Sequence, residues 1–424
     1  MSAGSHGGRH SDVRMKGFRQ RTDVADVLAL LDDAVQPLAV EPVPVGACAG
    51  RVLATDVEAT LDVPGFDRSA MDGYAVIAGE TFGARENDPV PLAMVGESFP
   101  ARPFAGRVEP GQTVQVMTGA ALPDGADAVV PAEIVRRVAD TVLILDAIPP
   151  GKHVSRRGED VKSGDPLLAS GRCLRPQDAG LLASLGVSPV EVIRRPRVDI
   201  VATGDELLPT GSRPHGTRIV DSNSVVLAAL ARRDGASVAP SARLKDDADL
   251  LRAHLQESTA DVILISGGSS VGLEDHAPQV VADLGRLAVH GIAMRPSSPT
   301  GIGFLRLAAG ERPIFLLPGN PVSCLCAYDF FAGRTIRRLG GRPTDWPYPR
   351  RRLPLAGKIV SQVGRVDYLR VQVVEGRVEP MTVGGAAIQS STVRADGFVI
   401  IDRDAEGHAP GEEVDVHLYD ARVP

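Results

Sequence analysis

Asp261-Val262-Ile263-Leu264-Ile265-Ser266-Gly267-Gly268-Ser269-Ser270-Val271-Gly272-Leu273-Glu274-Asp275 holds more structural information than any other stretch of this chain. Its apolar opening has the pattern of a short strand buried on both faces, as in a parallel sheet. The strand runs into two adjacent glycines, which permit a tight turn and let a ligand approach the main chain. Main-chain N–H groups and the hydroxyls of Ser266, Ser269 and Ser270 can then donate to a phosphate or another oxyanion. Asp275 follows Gly272 where a helix can begin, so a carboxylate stands beside the cradle, as a phosphorylated ligand with a bound metal requires. No Gly-Lys-Ser/Thr follows, so this is not a Walker A loop. The same residues fit a plain strand-to-helix turn, and the segment alone does not separate the two.

The flanking sequence repeats the alternation. Residues 198–202, 237–239, 261–265, 288–294 and 313–317 read as strands, and residues 222–233, 246–258, 276–284 and 322–338 as helices. That predicts a parallel α/β sheet covered by helices on both faces. Ligands of such sheets bind beyond the carboxyl ends of the strands. Three suggestive loops fall there: Gly204-Asp205-Glu206, Ser266 to Gly272, and Pro318-Gly319-Asn320-Pro321. Upstream, residues 23–35 and 177–185 have helical spacing, and residues 39–147 alternate short apolar runs with Pro/Gly turns, a mainly β pattern. Residues 342–352 read as a Pro/Arg-rich linker, and strands near 369–374, 398–401 and 413–418 suggest a small all-β module. The fold class expected is multidomain α/β plus β.

Composition sets the outer limits. A chain of 424 residues exceeds one ordinary core. A net charge of −7 argues against nucleic acid as a partner. Four cysteines without a Cys-x-x-Cys pair fit a reducing compartment and disfavour a zinc site. No apolar run reaches the ~20 residues of a membrane helix, and the N-terminus lacks a signal peptide's apolar core. Residues 1–21 are polar and basic, a predicted disordered leader. A cytoplasmic protein is expected, with no membrane partner.

Acidic residues gather at the strand ends: Asp205, Glu206, Asp221, Asp246, Asp247 and Asp275. Hard divalent cations such as Mg²⁺ take oxygen ligands of this kind, shared with substrate phosphates. Asp246 and Asp247 are better explained as helix-start acids favoured by the macrodipole than as metal ligands, and Asp221 fits a cap. In the β-rich region, the segments 66–75, 117–120 and 156–160 are dense in polar groups, and an arginine pair there can bind phosphate.

Taken together, seven segments resemble the molybdopterin molybdenumtransferase family, whose members include MoeA and the plant molybdenum-insertase and gephyrin E-domains. The segments are 66–76, 117–133, 157–160, 203–207, 221–223, 266–275 and 318–323, in the family's order. Beyond the leader (1–21), the resemblance implies four domains: an elongated linker and dimerisation domain (22–60 and 148–196), an inserted β-rich domain (61–147), a molybdopterin-binding α/β domain (197–341) and a C-terminal β-barrel (350–424). It implies a homodimer that inserts molybdate into adenylylated molybdopterin and releases AMP, using a divalent cation, expected to be Mg²⁺. Molybdopterin adenylyltransferase and recipient molybdoenzymes are the partners it suggests. It casts Glu206, Asp275, Asp72 and Thr118 as catalytic, the last two from the partner-subunit wall. It gives cofactor contacts to Ser266, Gly267, Gly268, Ser269, Ser270, Gly272, Pro318, Gly319, Asn320, Arg157, Arg295, Ser298, Arg370 and Ser391. Its metal ligands are drawn from Asp205, Glu206, Asp246, Asp247 and Asp275. One segment departs from the family's Lys-Pro-Gly-Lys-Pro: here Arg295-Pro296-Ser297-Ser298-Pro299. Gly291 also stands where many members have a lysine. Those changes leave two further readings open: a binding or scaffold protein without turnover, or a member using another oxyanion such as tungstate.

Overall fold

The computed structural model describes residues 21–268, 275–307, 310–381 and 385–420. The chain divides into two compact units. The first comprises residues up to Glu41, Gly50–Val52 and Val192 onward; the second comprises Pro42–Ala49 and Leu53–Glu191.

A seven-stranded sheet organises the first unit. Its centre is parallel: Arg197–Thr203, Val262–Ser266 and Gly310–Leu317 lie side by side with matched carboxyl ends. Side chains alternate between two cores, as the strand repeat demands. Val198, Ile200, Leu264, Phe315 and Leu317 face the helices Val24–Ala34, Asn223–Arg233 and Pro321–Ala327. Val201, Ile263, Ile265, Ile314 and Leu316 face Ala248–Glu257 and Ala277–Leu284. Helices therefore cover both faces. At ~1.5–3 kcal/mol for each large apolar side chain withdrawn from water, this double burial is what holds the central strand.

The sheet is mixed rather than wholly parallel. Gly301–Leu307, not expected from sequence, runs antiparallel to Gly310–Leu317 and to Gly285–His290. Gly303 packs where a Cβ would stand 2.5 Å from Val281 Cγ1 and 2.8 Å from Arg286 O, so the close packing that places this strand admits no side chain there. The strand expected at 288–294 divides: Gly285–His290 stays in this sheet, and Met294–Arg295 pairs in parallel with Val366–Asp367 of another. The expected helix 322–338 is one rod with a π-helical turn, Tyr328–Ala332, between Pro321–Ala327 and Gly333–Leu339.

That second sheet is the C-terminal barrel. Val366–Val374, Gly397–Ile401, Glu413–Leu418 and Arg350–Pro354 pair in turn, antiparallel throughout. Arg377–Pro380 pairs with Val366–Val374, and a bridge from Leu355 to Val378 closes the circuit. Val371, Val399, Val414 and Val416 fill its interior.

The second unit is mainly β, as its turn-rich sequence indicates. Six strands pair in the order Ala128–Pro131, Gly73–Val76, Gln112–Val116, Val90–Ser98, Thr141–Ile144 and Val135–Val138. The helix Pro176–Ser184 is fixed by Asp178, whose carboxylate accepts from Arg175 and Arg172 and from the Arg175 amide. Those two guanidinium groups hold its pKa far below the usual carboxylate range.

Candidate functional site

Three loops at the carboxyl ends of the parallel strands enclose a cavity of about 250 Å3. Thr203, Gly204 and Glu206 come from the first loop, Gly267 and Gly268 from the second, and Pro318, Gly319 and Asn320 from the third. Gly267 and Gly268 adopt φ of 99° and 56°. A Cβ at Gly267 would lie 2.4 Å from Thr203 O, and one at Gly268 would lie 3.0 Å from Thr203 Oγ1. The glycine pair is thus required twice, by backbone sign and by space. Asn223 ties two of the loops to its own helix, its side-chain amide donating to Ser266 Oγ and to Gly319 O, both at 2.8 Å. Asn223 lies within a segment that resembles the family, but nothing local in the sequence marks it as a tether. Asp221, buried, caps the same helix by accepting from the Ser224 amide.

The donor set is narrower than the sequence suggests. The Gly267 N–H is engaged by Leu317 O at 3.2 Å. Thr203 supplies a donor that sequence reasoning missed: its Oγ1 is buried and has no hydrogen-bond partner among the described residues. A buried hydroxyl left alone costs ~1–3 kcal/mol, so a ligand oxygen is its natural complement. Ser269, Ser270 and Gly272 lie outside the described residues.

Of the acids, Glu206 and Asp246 share this cavity, and Asp246 accepts from the Asp205 amide at 3.3 Å. Asp247 is a helix cap, accepting from the Asp249 and Leu250 amides, which hold its pKa below the usual range. Asp275 stands just ahead of the helix Ala277–Leu284. Among the described residues no cluster of three or more acids, histidines or cysteines could hold a metal alone. Two carboxylates on one cavity still fit Mg²⁺, which completes its shell with water and phosphate oxygens.

A larger cavity, about 620 Å3, shares Pro299, Pro318 and Asn320 with the first. Arg295, Ser298 and Arg370 line it, three residues expected to serve an oxyanion. Arg370 is buried and donates to Ser391 Oγ, so Ser391 acts here by holding the guanidinium. Ser298 Oγ is buried and without a hydrogen-bond partner among the described residues. Ser297, at φ 86°, donates its hydroxyl to Ser323 O at 2.6 Å. The thiol of Cys324, beneath the floor of the cleft, is pushed up to about 12 by burial and is a packing group.

Asp72, Thr118 and Arg157 belong to the second unit. Asp72 Oδ1 accepts from the Thr118 amide at 2.7 Å and from its hydroxyl at 2.8 Å, which hold the carboxyl below the usual range. Arg157 donates from Nε to Asp62 at 2.6 Å, and its amide donates to Asp67.

Three family models match in sequence: the MoeA N-terminal region (domains I and II) over residues 22–186, a probable molybdopterin-binding domain over 199–338, and the MoeA C-terminal region (domain IV) over 352–419. A putative molybdopterin biosynthesis protein of Methanocaldococcus jannaschii is 34% identical, with 89% of this chain and 92% of that protein aligned. Molybdopterin molybdenumtransferase 2 of Mycobacterium tuberculosis is 39% identical over 81% of this chain and 85% of its own length. The crystal structure of a molybdopterin biosynthesis MoeA protein from Pyrococcus horikosii superposes with a TM-score of 0.78 at 32% identity, covering 95% of this chain and all of that one. The chain belongs to the MoeA family of molybdopterin molybdenumtransferases.

Proposed function

We propose that this chain inserts molybdate into adenylylated molybdopterin and releases AMP, as a homodimer in the cytoplasm with Mg²⁺. The observation that carries the reading is the adjoining of two unlike cavities: a glycine and carboxylate cradle beside an arginine-lined chamber, with three wall residues in common. A phosphate seat and an oxyanion seat at that spacing suit a substrate with a pyrophosphate at one end and a metal-binding dithiolene at the other.

In this reading Thr203 Oγ1 donates to a phosphate oxygen, and Glu206 and Asp246 hold the cation. Bound there, Mg²⁺ supplies charge neutralisation on the pyrophosphate. Arg295, Arg370 and Ser298 Oγ hold molybdate, fixed donors needing no rearrangement as charge shifts. Binding both partners in one cleft removes the entropic cost of their encounter. Asp275 borders the phosphate end. Asp72 and Thr118 of the partner subunit complete the wall, a role supported by the family resemblance, and Arg157 adds a phosphate contact.

The experiment is AMP release from adenylylated molybdopterin with Mg²⁺, with and without molybdate. Molybdate-dependent release that Glu206→Gln and Asp275→Asn each reduce by at least a hundredfold is the expected outcome. Normal turnover by both variants overturns the assignment of roles. Tight cofactor binding without any release favours a scaffold, the reading that Ser298 in place of lysine would suit.

A further inference from the structure

The larger cavity has a wall residue that neither the sequence motifs nor the proposed reaction uses. Four arginines line it, Arg21, Arg295, Arg365 and Arg370, against one carboxylate, Asp367. Arg365 is paired with that carboxylate at 2.9 Å, and Arg370 is tied to Ser391. Arg295 and Arg21 have no ion-pair partner among the described residues. Among the described residues the cavity therefore holds three guanidinium groups without a carboxylate partner, Arg21, Arg295 and the Ser391-bound Arg370, and the first comes from the approach to the first helix.

Arg21 is held there by its neighbours. Thr22 forms a parallel bridge with Ile292: its amide donates to Gly291 O at 3.0 Å, and the Ala293 amide donates to Thr22 O at 2.9 Å. Asp23 then pairs with Arg403. Two main-chain bonds and an ion pair fix the residues just after Arg21 against the strand entry that leads to Arg295 and Ser298. Residues 291–298 contain a single cation, Arg295. With Ser298 and Gly291 standing where the family pattern has lysines, the positive charge facing a tetrahedral dianion on Ser298 Oγ has to come from Arg295, Arg370 and Arg21.

We propose that Arg21 is a substrate-binding residue, its guanidinium supplying counter-charge to the tetrahedral dianion in the 620 Å3 cavity. The proposal rests on the oxyanion reading of that cavity. It makes dianion affinity a property of the N-terminal approach as well as of the 295–298 turn. Arginine suits the task because its planar fork gives paired donors at fixed geometry.

The test is equilibrium dialysis of the full-length protein against sodium molybdate, with bound molybdenum measured by elemental analysis at two ionic strengths. Arg21→Gln should weaken molybdate binding by roughly tenfold, the scale of one charge-assisted hydrogen bond, without moving the thermal midpoint. Its residual binding should also lose part of the salt dependence. Arg21→Lys should recover much of the affinity, and Ser298→Lys placed on the Arg21→Gln background should restore it from the other side. Equal affinity in wild type and Arg21→Gln overturns the role of Arg21 and leaves the oxyanion reading standing. No saturable molybdate binding by wild type overturns both. If Arg21→Gln lowers the midpoint as well as the affinity, Arg21→Lys decides: a stable Lys variant that fails to regain affinity refutes the proposal.

Discussion

The two adjoining cavities are made of different material. The smaller is built by backbone: three strand ends, a glycine pair with positive φ, and a turn whose carbonyl Asn223 clasps. The larger is built by side chains that reach in from distant parts of the chain, at residues 21, 295, 298 and 370. A backbone site is set by the fold, so it admits few substitutions and its geometry is nearly all-or-none. A side-chain site can be retuned one charge at a time with little effect on stability. The departure at Ser297-Ser298 falls in the second kind, where a family can vary without losing its architecture.

The most severe way to break that contrast is at Gly267. With φ at 99° and Thr203 O 2.4 Å from any Cβ, Gly267→Ala should cost about 3 kcal/mol or more and abolish cofactor binding. Urea denaturation measures it; a loss below about 1 kcal/mol means the turn adapts and the backbone does not define the site.

The side-chain cavity has a hidden dependence of its own. Tyr368, in its wall, donates at 3.3 Å to Asp329 on the π turn, as does Tyr348 at 2.9 Å, and Arg233 lies 3.5 Å away. Burial pushes the Asp329 carboxyl up to about 6, against Arg233 and Tyr348, which pull it down. Since the folded pKa lies above the unfolded value of about 3.9, protonation stabilises the fold. That contribution is complete below about pH 4 and is lost as pH rises through 6. Between pH 7 and pH 4, wild type should therefore gain about 2–3 kcal/mol relative to Asp329→Asn. Parallel pH profiles of the two urea midpoints would show that the buried carboxylate does not titrate.

The smallest effect belongs to Ser297→Gly. Glycine relieves a positive φ worth about 1 kcal/mol, and loss of the hydroxyl bond to Ser323 O returns a similar amount. A net change within about 0.5 kcal/mol is expected in thermal unfolding. Destabilisation above about 1.5 kcal/mol would show that the serine hydroxyl, rather than the backbone, holds that turn.

What the sequence disclosed follows the same division. The strand at 262–266, its glycine pair and the acids after it are local patterns, and local patterns report their own surroundings. Asp246 and Asp247 looked alike on paper; only the cavity separates the lining residue from the cap. The strand Gly301–Leu307 carries apolar residues at 302, 304, 305 and 307, but the glycines at 301 and 303, where packing admits no Cβ, lower its strand propensity. The π turn was hidden because all five of its residues are buried, which erases the helical stripe. Arg21, Thr203 and Asn223 were out of reach for a simpler reason: each matters through a neighbour far away in sequence.

Trp346 gives the seam beside Asp329 a voice of its own. It is the sole tryptophan of the chain, its indole donating to Asp329 O at 3.1 Å and meeting Phe330, Phe398 and His417 edge-on. Every photon of indole emission therefore originates where the barrel rests on the long helix. An unlabelled sample can report separation of those two bodies by a shift in colour, while ellipticity follows the helices. If the colour changes at lower denaturant than the ellipticity, the barrel lifts away before the sheet melts, and the side-chain cavity opens before the backbone one.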